Sequence, residues 1–353
     1  MIKTKIFEMN DLSTNKDKIK EAADLLIKGG TVAFPTETVY GLGANALDKE
    51  AVAKIFKAKG RPSDNPLIVH ISKIEQIYEL VESVPPIAEK LIENFWPGPI
   101  TLIMKKSKKV PDIITAGLDT VAIRMPSHPI AKEIIDKAKL PIAAPSANLS
   151  GKPSPTKASH VIKDLNGKVD GIVSGGSSQV GLESTVLDVT TEIPMILRPG
   201  GITKEDLEKV LEEVEVDPGI EGRTSSDATP RSPGMKYTHY SPQADVIIVS
   251  GKVEEIIPKI IELTREKQKQ GKKVGIMCTD ETKDNYMDGV IYSMGSRENM
   301  KTIAAKLFDT LRQFDEEDVD LIFAEGIDQK SVGHAVMNRM IKAAGYNVVK
   351  SGR

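Results

Sequence analysis

Residues 31–70 confine this chain more than any other stretch. They read TVAFPTETVYGLGANALDKEAVAKIFKAKGRPSDNPLIVH. Thr31 to Phe34 is a short β-branched and aromatic run behind Gly29 and Gly30, the pattern of a buried strand. Pro35 breaks it and opens into Thr36-Glu37-Thr38, a cluster of hydrogen-bonding side chains. Gly41 and Gly43 let the backbone turn sharply or approach a ligand closely. Asp48 is placed to cap a helix over residues 49–58. Lys57, Lys59 and Arg61 gather around Gly60 at its end, and Pro62 forbids continuation. A second apolar strand, Leu67 to Ile71, carries His70. Strand, polar loop, helix, cationic loop and strand together place polar groups at one edge of an α/β sheet. The cations suit an anion with several charges. The same pattern also fits an ordinary αβ unit whose Lys/Arg loop is merely solvated.

A length of 353 residues favours two domains. With only 4% aromatic residues, the cores must be built mainly from Ile, Val, Leu and Ala. Forty-eight basic residues stand against 50 acidic ones. That balance argues against a strongly basic nucleic-acid protein, although it leaves room for a local cationic patch. The lone Cys278 rules out an intrachain disulfide and a Cys-based zinc cage, and reads as a buried strand thiol. The N-terminal residues lack an apolar core of signal-peptide length, and no later run is long enough to span a bilayer. The expectation is a cytoplasmic protein with no membrane partner.

Short strands mix with helices up to residue 214: strands at Ile100 to Lys105, Val121 to Met125, Ile142 to Ala144, Ile172-Val173, Thr185 to Val189 and Met195 to Leu197, and helices at Pro129 to Ala138 and Lys204 to Glu213. This predicts one α/β domain with a mixed, twisted sheet. Residues 215–243 lose periodicity and gain Pro, Gly, Ser and Thr, which reads as a linker. Its second half, SPGMKYTHYSP, is too aromatic for a plain spacer and is expected to fold over a site as a lid. From residue 244 strands and helices alternate regularly to the end, predicting a small parallel sheet of Rossmann-like topology. No G-x-G-x-x-G follows its first strand, so dinucleotide binding is unsupported there.

Four clusters could carry chemistry. Lys59-Gly60-Arg61 with Asn65 can clamp phosphate oxygens, although the chain has no Walker loop. Ser146 and Asn148 lie in AAPSAN after a short strand, and Gly151-Lys152-Pro153-Ser154 extends the same loop. Thr120, Ala122 and Arg124 share one face of a strand by period two, and Arg124 suits a carboxylate or a phosphate. Gly175 to Thr185, GGSSQVGLEST, with Arg198 before a Pro-Gly-Gly turn, offers backbone and hydroxyl donors to an anion. The five histidines show no metal-binding spacing, and no Ser-His-Asp triad can be assembled. Small polar groups and Arg without an activated nucleophile fit catalysis by positioning and charge stabilisation, as in phosphoryl or adenylyl transfer.

Taken together, PTETVYGLG, KAKGRPSDNPLIVH, WPGPITLI, GLDTVAIRMPSHP, PIAAPSANLSGKPSPT, GLESTVLDV and ILRPG resemble the threonylcarbamoyl-AMP synthase family in its long, two-domain form. The resemblance implies an open α/β fold of YrdC type with a large concave cleft. It also implies an enzyme joining L-threonine, bicarbonate or CO₂, and ATP. The products would be threonylcarbamoyl-adenylate and pyrophosphate, for t⁶A formation at position 37 of tRNAs reading codons that begin with A. Mg²⁺ would accompany ATP, and the labile product implies a hand-off to a tRNA threonylcarbamoyl transferase. By position, Thr36, His70, Arg124 and Ser184 correspond to threonine-holding residues. Lys59, Arg61, Asn65, Thr120, Ser146, Asn148, Ser154, Arg198 and Tyr240 correspond to the ATP side, with Lys59 and Arg61 as the charge-stabilising pair. The chain departs from the family's frequent Gly-x-Gly before the last helix, having Ser331-Val332-Gly333-His334 there. A double-stranded RNA-binding module is the competing reading, because YrdC-type domains present a concave cationic surface; the near-neutral charge counts against it. A hydrogenase-maturation protein with a YrdC-like domain would carry Cys clusters, which one Cys cannot supply.

Overall fold

The computed structural model describes residues 2–9, 15–220 and 239–352. The chain divides into two compact units, Met1–Ser150 with Ser154–Lys236, and Gly151–Pro153 with Tyr237–Arg353.

The first unit is built on eleven strands: β1 Lys5–Glu8, β2 Val32–Phe34, β3 Gly41–Asn45, β4 Ile68–His70, β5 Ile100–Lys105, β6 Thr120–Arg124, β7 Ile142–Ala143, β8 Gly171–Ser174, β9 Thr185–Asp188, β10 Met195–Arg198 and β11 Glu215–Val216. Their order is β1-β8-β2-β3-β7-β4-β6-β5-β9-β10-β11. Parallel pairs (β4 with β6, β5 with β9) alternate with antiparallel ones (β5 with β6, β9 with β10), so the sheet is mixed, as expected.

Side-chain alternation divides the labour between the two faces. One face, with Val69, Leu102, Val121, Ile123, Leu187 and Ile196, packs into the main core against the helices Lys49–Lys59, Pro86–Phe95 and Ala158–Leu165. The opposite face is covered at the β2 and β8 end by the helices Lys16–Ile27 and Pro129–Ala138, through Ile19, Leu26, Ile130 and Ile134 packed with Val32, Phe34 and Val173. Farther along, the same face carries a small apolar floor of Ile68, Ile103, Ala122, Val186 and Leu197. Polar side chains border that floor.

The cap and stop of the central helix follow from its sequence. Asp48 accepts hydrogen bonds from the Glu50 and Ala51 backbone N–H groups, and Gly60 ends the helix in the left-handed conformation, φ 62°. The stretch after Tyr40 differs from expectation. Residues 41–45 form strand β3 rather than a loop, and Gly43 faces a neighbouring ring, not a ligand. A Cβ on Gly43 would lie 2.6 Å from Phe34 Cε1 and 2.8 Å from Ile142 Cγ2. The helix expected over residues 204–213 is confined to Lys204–Leu207. The chain then turns, Leu211 and Val214 still reach the core, and Glu215–Val216 pairs with β10 beyond the boundary expected at residue 214.

The second unit has five parallel strands, β12 Asp245–Ser250, β13 Val274–Cys278, β14 Val290–Ser293, β15 Leu321–Glu325 and β16 Val348–Lys350, in the order β14-β13-β15-β12-β16. The helices Val253–Lys269, Met300–Glu317 and Val332–Ala343 connect them, giving the Rossmann-like layering expected. Cys278 is fully buried in this core, and burial pushes its thiol up to about 12, so it is inert, as its strand position suggested. Of the expected lid, Pro233 to Lys236 and Tyr237-Thr238 lie outside the described residues. No helix among the described residues is long and apolar enough to cross a membrane.

Overpacking at the β2–β3 contact should be costly. Gly43→Ala is expected to destabilise the first unit by about 1–3 kcal/mol, read as a lowered urea midpoint in the full chain; an unchanged midpoint would show that Phe34 has room to move.

Candidate active site

The site is assembled where β4 and β6 run side by side. His70 is in register with Arg124, and Ile68 with Ala122, so the imidazole and the guanidinium share the floor's face. Arg124 is only 4% exposed. It donates from Nε to the Gly98 carbonyl at 3.3 Å and from Nη1 to Thr38 Oγ1 at 2.9 Å. Its Nη2 stands 2.6 Å from Glu37 Oε1. Burial works against the Glu37 carboxylate, but the adjacent guanidinium outweighs it and holds the pKa below the ordinary value.

These contacts fix the direction of a hydroxyl relay. Thr36 and Thr38 hydroxyls lie 2.8 Å apart, and Thr36 Oγ1 donates to the Val39 carbonyl at 2.6 Å. Thr36 gives its only proton to the Val39 carbonyl, so Thr38 must pass its own proton to Thr36. Thr36 Oγ1 also accepts from the Thr38 and Val39 N–H groups, each at 3.3 Å, so it is fully engaged within its own loop. The Nδ1 of His70 lies 3.3 Å from the Ile68 carbonyl, and the Ile142 backbone also contacts the ring, so a neutral imidazole has one hydrogen for these acceptors and one nitrogen left as an acceptor. Burial, reinforced by Arg124, lowers the His70 pKa to about 3, so the ring is neutral near pH 7.

Along the floor, Arg198 is brought in by a bulge. Ile196 pairs with Leu187, then Arg198 pairs with Val186, leaving Leu197 as the extra residue. Strict alternation would put Arg198 with Ile196 in the main core; the bulge puts it with Val186 on the site face. Arg198 there donates to the Ser184 carbonyl at 3.0 Å and to Ser184 Oγ at 3.1 Å. Ser184 Oγ also lies 2.8 Å from Thr101 Oγ1, in a hydrogen bond that either hydroxyl can donate. Gly200 is needed beside them, because a Cβ would stand 2.2 Å from the Thr185 nitrogen.

The cationic loop and the S-x-N loop meet through Lys59. This lysine is 2% exposed and donates to the carbonyls of Ser146 and Asn148, both at 2.5 Å. Ser146 Oγ donates to Asn148 Oδ1 at 2.6 Å. Arg61 Nη2 reaches the carbonyls of Asn65 and Pro66, at 3.4 and 3.1 Å. Asn65 is buried with an Oδ1 that accepts no hydrogen bond. Ser154 is tied to Glu183 Oε1 at 2.5 Å, both residues buried.

One expected residue stands apart, and another belongs to the other unit. Thr120 shares a face with Arg124 but sits at the opposite end of β6, about 13 Å away at strand rise; it lines a narrow crevice with Pro66, Ile103 and Thr115. Tyr240 belongs to the second unit. Its ring lies 5.1 Å from Phe308, with the Arg339 guanidinium 5.7 Å over it. The sequence reading had left out Glu37, Thr38, Thr101 and Glu183 as site residues. Two of them neighbour Thr36, and Thr101 has the parity of Ile103, which was the available signal.

The neutral His70 has a consequence for stability. Its folded pKa lies below the unfolded value of 6.5, so the unfolded chain binds a proton that the folded chain refuses between about pH 6.5 and 3. Stability present above pH 6.5 is lost as pH falls through this window, by about 1.4 kcal/mol per unit from this residue alone. Denaturant melts of wild type and His70→Asn should converge as pH drops from 6.5 to 5; parallel curves would contradict a buried neutral imidazole.

With this geometry described, the known proteins can be compared. Residues 24–200 match the Sua5/YciO/YrdC family model, whose description is "Telomere recombination", and residues 202–345 match the threonylcarbamoyl-AMP synthase C-terminal domain. The threonylcarbamoyl-AMP synthase of Bacillus subtilis is 52% identical over 342 residues, covering 97% of each chain. That of Pyrococcus abyssi is 50% identical over 333 residues, covering 94% of this chain and 96% of the relative. The crystal structure of P. abyssi Sua5, complexed with L-threonine, superposes with a TM-score of 0.93 at 48% identity, over 98% of this chain and 99% of that one. Matched in sequence and fold along both units, the chain belongs to the threonylcarbamoyl-AMP synthase family.

Proposed function

We propose that this protein makes L-threonylcarbamoyl-adenylate and pyrophosphate from L-threonine, bicarbonate or CO₂, and ATP. The observation that carries the reading is the register of His70 with Arg124, beside the Thr36–Thr38 relay. Arg124 supplies a buried, fixed guanidinium for the amino acid's carboxylate. The neutral His70 imidazole, with Thr36 beside it, suits the threonine hydroxyl. Ser184 lies between this group and Arg198, where the threonine end meets the nucleotide end.

The free amine adds to the carbon of CO₂ and releases a proton, or displaces water from bicarbonate, to give a carbamate. A carbamate oxygen then attacks the α-phosphorus, and the bond to pyrophosphate breaks. No protein nucleophile is needed, so this chain's contribution is to hold the reactants in line and stabilise charge. Lys59 fixes the S-x-N loop against the K-x-R loop, and its charge, with that of Arg61, favours the triphosphate and the departing pyrophosphate. Asn65, Ser146, Asn148, Ser154 and Arg198 are the remaining nucleotide-side groups, and Thr120, at the far end of β6, is assigned there through the resemblance alone. Mg²⁺ enters as part of the MgATP substrate. Tyr240 is assigned to the nucleotide through the resemblance alone.

The product serves t⁶A formation at position 37 of tRNAs reading codons that begin with A. A mixed carbamic–phosphoric anhydride hydrolyses readily, which favours direct hand-off to a tRNA threonylcarbamoyl transferase in the cytoplasm. RNA binding by this chain itself is not required by that scheme.

Pyrophosphate release measured with ATP should depend on both L-threonine and bicarbonate. A site that hydrogen-bonds the substrate hydroxyl rejects an analogue lacking it, so 2-aminobutyrate should show a kcat/KM lower by about 10⁴-fold. Equal use of the two amino acids would remove the hydroxyl contact from His70 and Thr36, and no dependence on threonine at all would refute the activity.

A further inference from the structure

Glu37 has no part in the scheme above, yet it lies at the centre of the threonine side. Its side chain is 10% exposed and sits between Thr36 and Thr38, with its backbone carbonyl held by the Val180 N–H at 2.8 Å. Arg124 Nη2 is 2.6 Å from Oε1, and the backbone N–H groups of Glu37 and Ser127 also act on the carboxylate, but none makes a well-aligned hydrogen bond to either oxygen. A buried carboxylate has acceptor capacity for several donors, and leaving it unused is costly. The neighbouring titratable groups do not fill it. His70 is neutral, and His128, whose Nδ1 accepts from the Ile130 N–H at 3.3 Å, is likewise held toward the neutral form by burial. The site thus contains a fixed guanidinium and a fixed carboxylate side by side, the second still short of donors.

A free α-amino acid presents the complementary pair, a carboxylate and an ammonium on one carbon. We propose that Glu37 binds the α-ammonium of L-threonine while Arg124 takes its carboxylate, so that the ion pair reads the substrate as a zwitterion. The inference rests on the reading that L-threonine occupies this face of the sheet. An ammonium offers three donors and would satisfy the Glu37 oxygens that the protein leaves unaligned. In a site closed to water such a charge-assisted contact is strong and directional. It would also place the nitrogen, which becomes a nucleophile once the ammonium has released a proton to water. A carboxylate held below its ordinary pKa is suited to binding the ammonium rather than to keeping its proton.

A brace that merely orients Arg124 would behave differently, and ligand deletion separates the two roles. Calorimetric titration of the full chain, without ATP, would compare L-threonine with (R)-3-hydroxybutanoate, which keeps the carboxylate and hydroxyl but lacks the amine. Wild type should bind L-threonine at least tenfold more tightly. Glu37→Gln should weaken L-threonine at least tenfold and change 3-hydroxybutanoate by less than twofold. Glu37→Asp should keep part of the preference, and an unchanged ATP affinity in each variant reports an intact fold. Equal losses for both ligands would show that Glu37 only braces Arg124 and would overturn the proposal. Failure of wild type to bind L-threonine at all would overturn the underlying site reading with it.

Discussion

A guanidinium with almost no access to water holds this sheet face in order. Arg124 is anchored to the Gly98 carbonyl, the Thr38 hydroxyl and the Glu37 carboxylate. The partners come from two parts of the chain, the turn before β5 and the loop after β2, so one side chain ties both segments to the end of β6. A buried charge of this kind persists only when it is paired and hydrogen-bonded, and removing one partner of such a pair typically costs about 3–5 kcal/mol. Burial, reinforced by the same charge, keeps His70 neutral. Arg124 thus anchors the Thr38 end of the relay and adds to the burial that sets the protonation state of His70.

The nucleotide side follows a parallel logic with a lysine. Lys59 ends the Asp48-capped helix and is buried against carbonyls 87 and 89 residues away in sequence. Two weak local patterns, K-x-R and S-x-N, become a single site because one ammonium satisfies both. Those two oxygens help to offset the cost of its desolvation.

Much of this was legible from pattern. Ile100–Lys105, Pro129–Ala138 and the Asp48 cap follow directly from periodicity and capping chemistry. Strand β3 was not, because GLGAN lacks the β-branched residues that mark a strand, and Gly43 is required by the Phe34 ring rather than by a turn. Strand β1, with one buried side chain of four, gives little alternation to read. Arg198 was placed near an anion from its Pro-Gly-Gly context, but the bulge at Leu197 that aims it depends on pairing with β9, which no local pattern encodes. Glu37 was hidden for a similar reason. In sequence it is a charged residue in a polar loop, and only the neighbouring β6 turns it into a buried ion-pair partner.

The account depends on Arg124 acting as a planar fork rather than as a mere positive charge. Arg124→Lys keeps the charge and removes the fork. Titration of L-threonine and of ATP into this variant is the most direct measurement. The account predicts that threonine affinity falls at least tenfold while ATP affinity is unchanged. Retention of full threonine affinity by the lysine variant would contradict it.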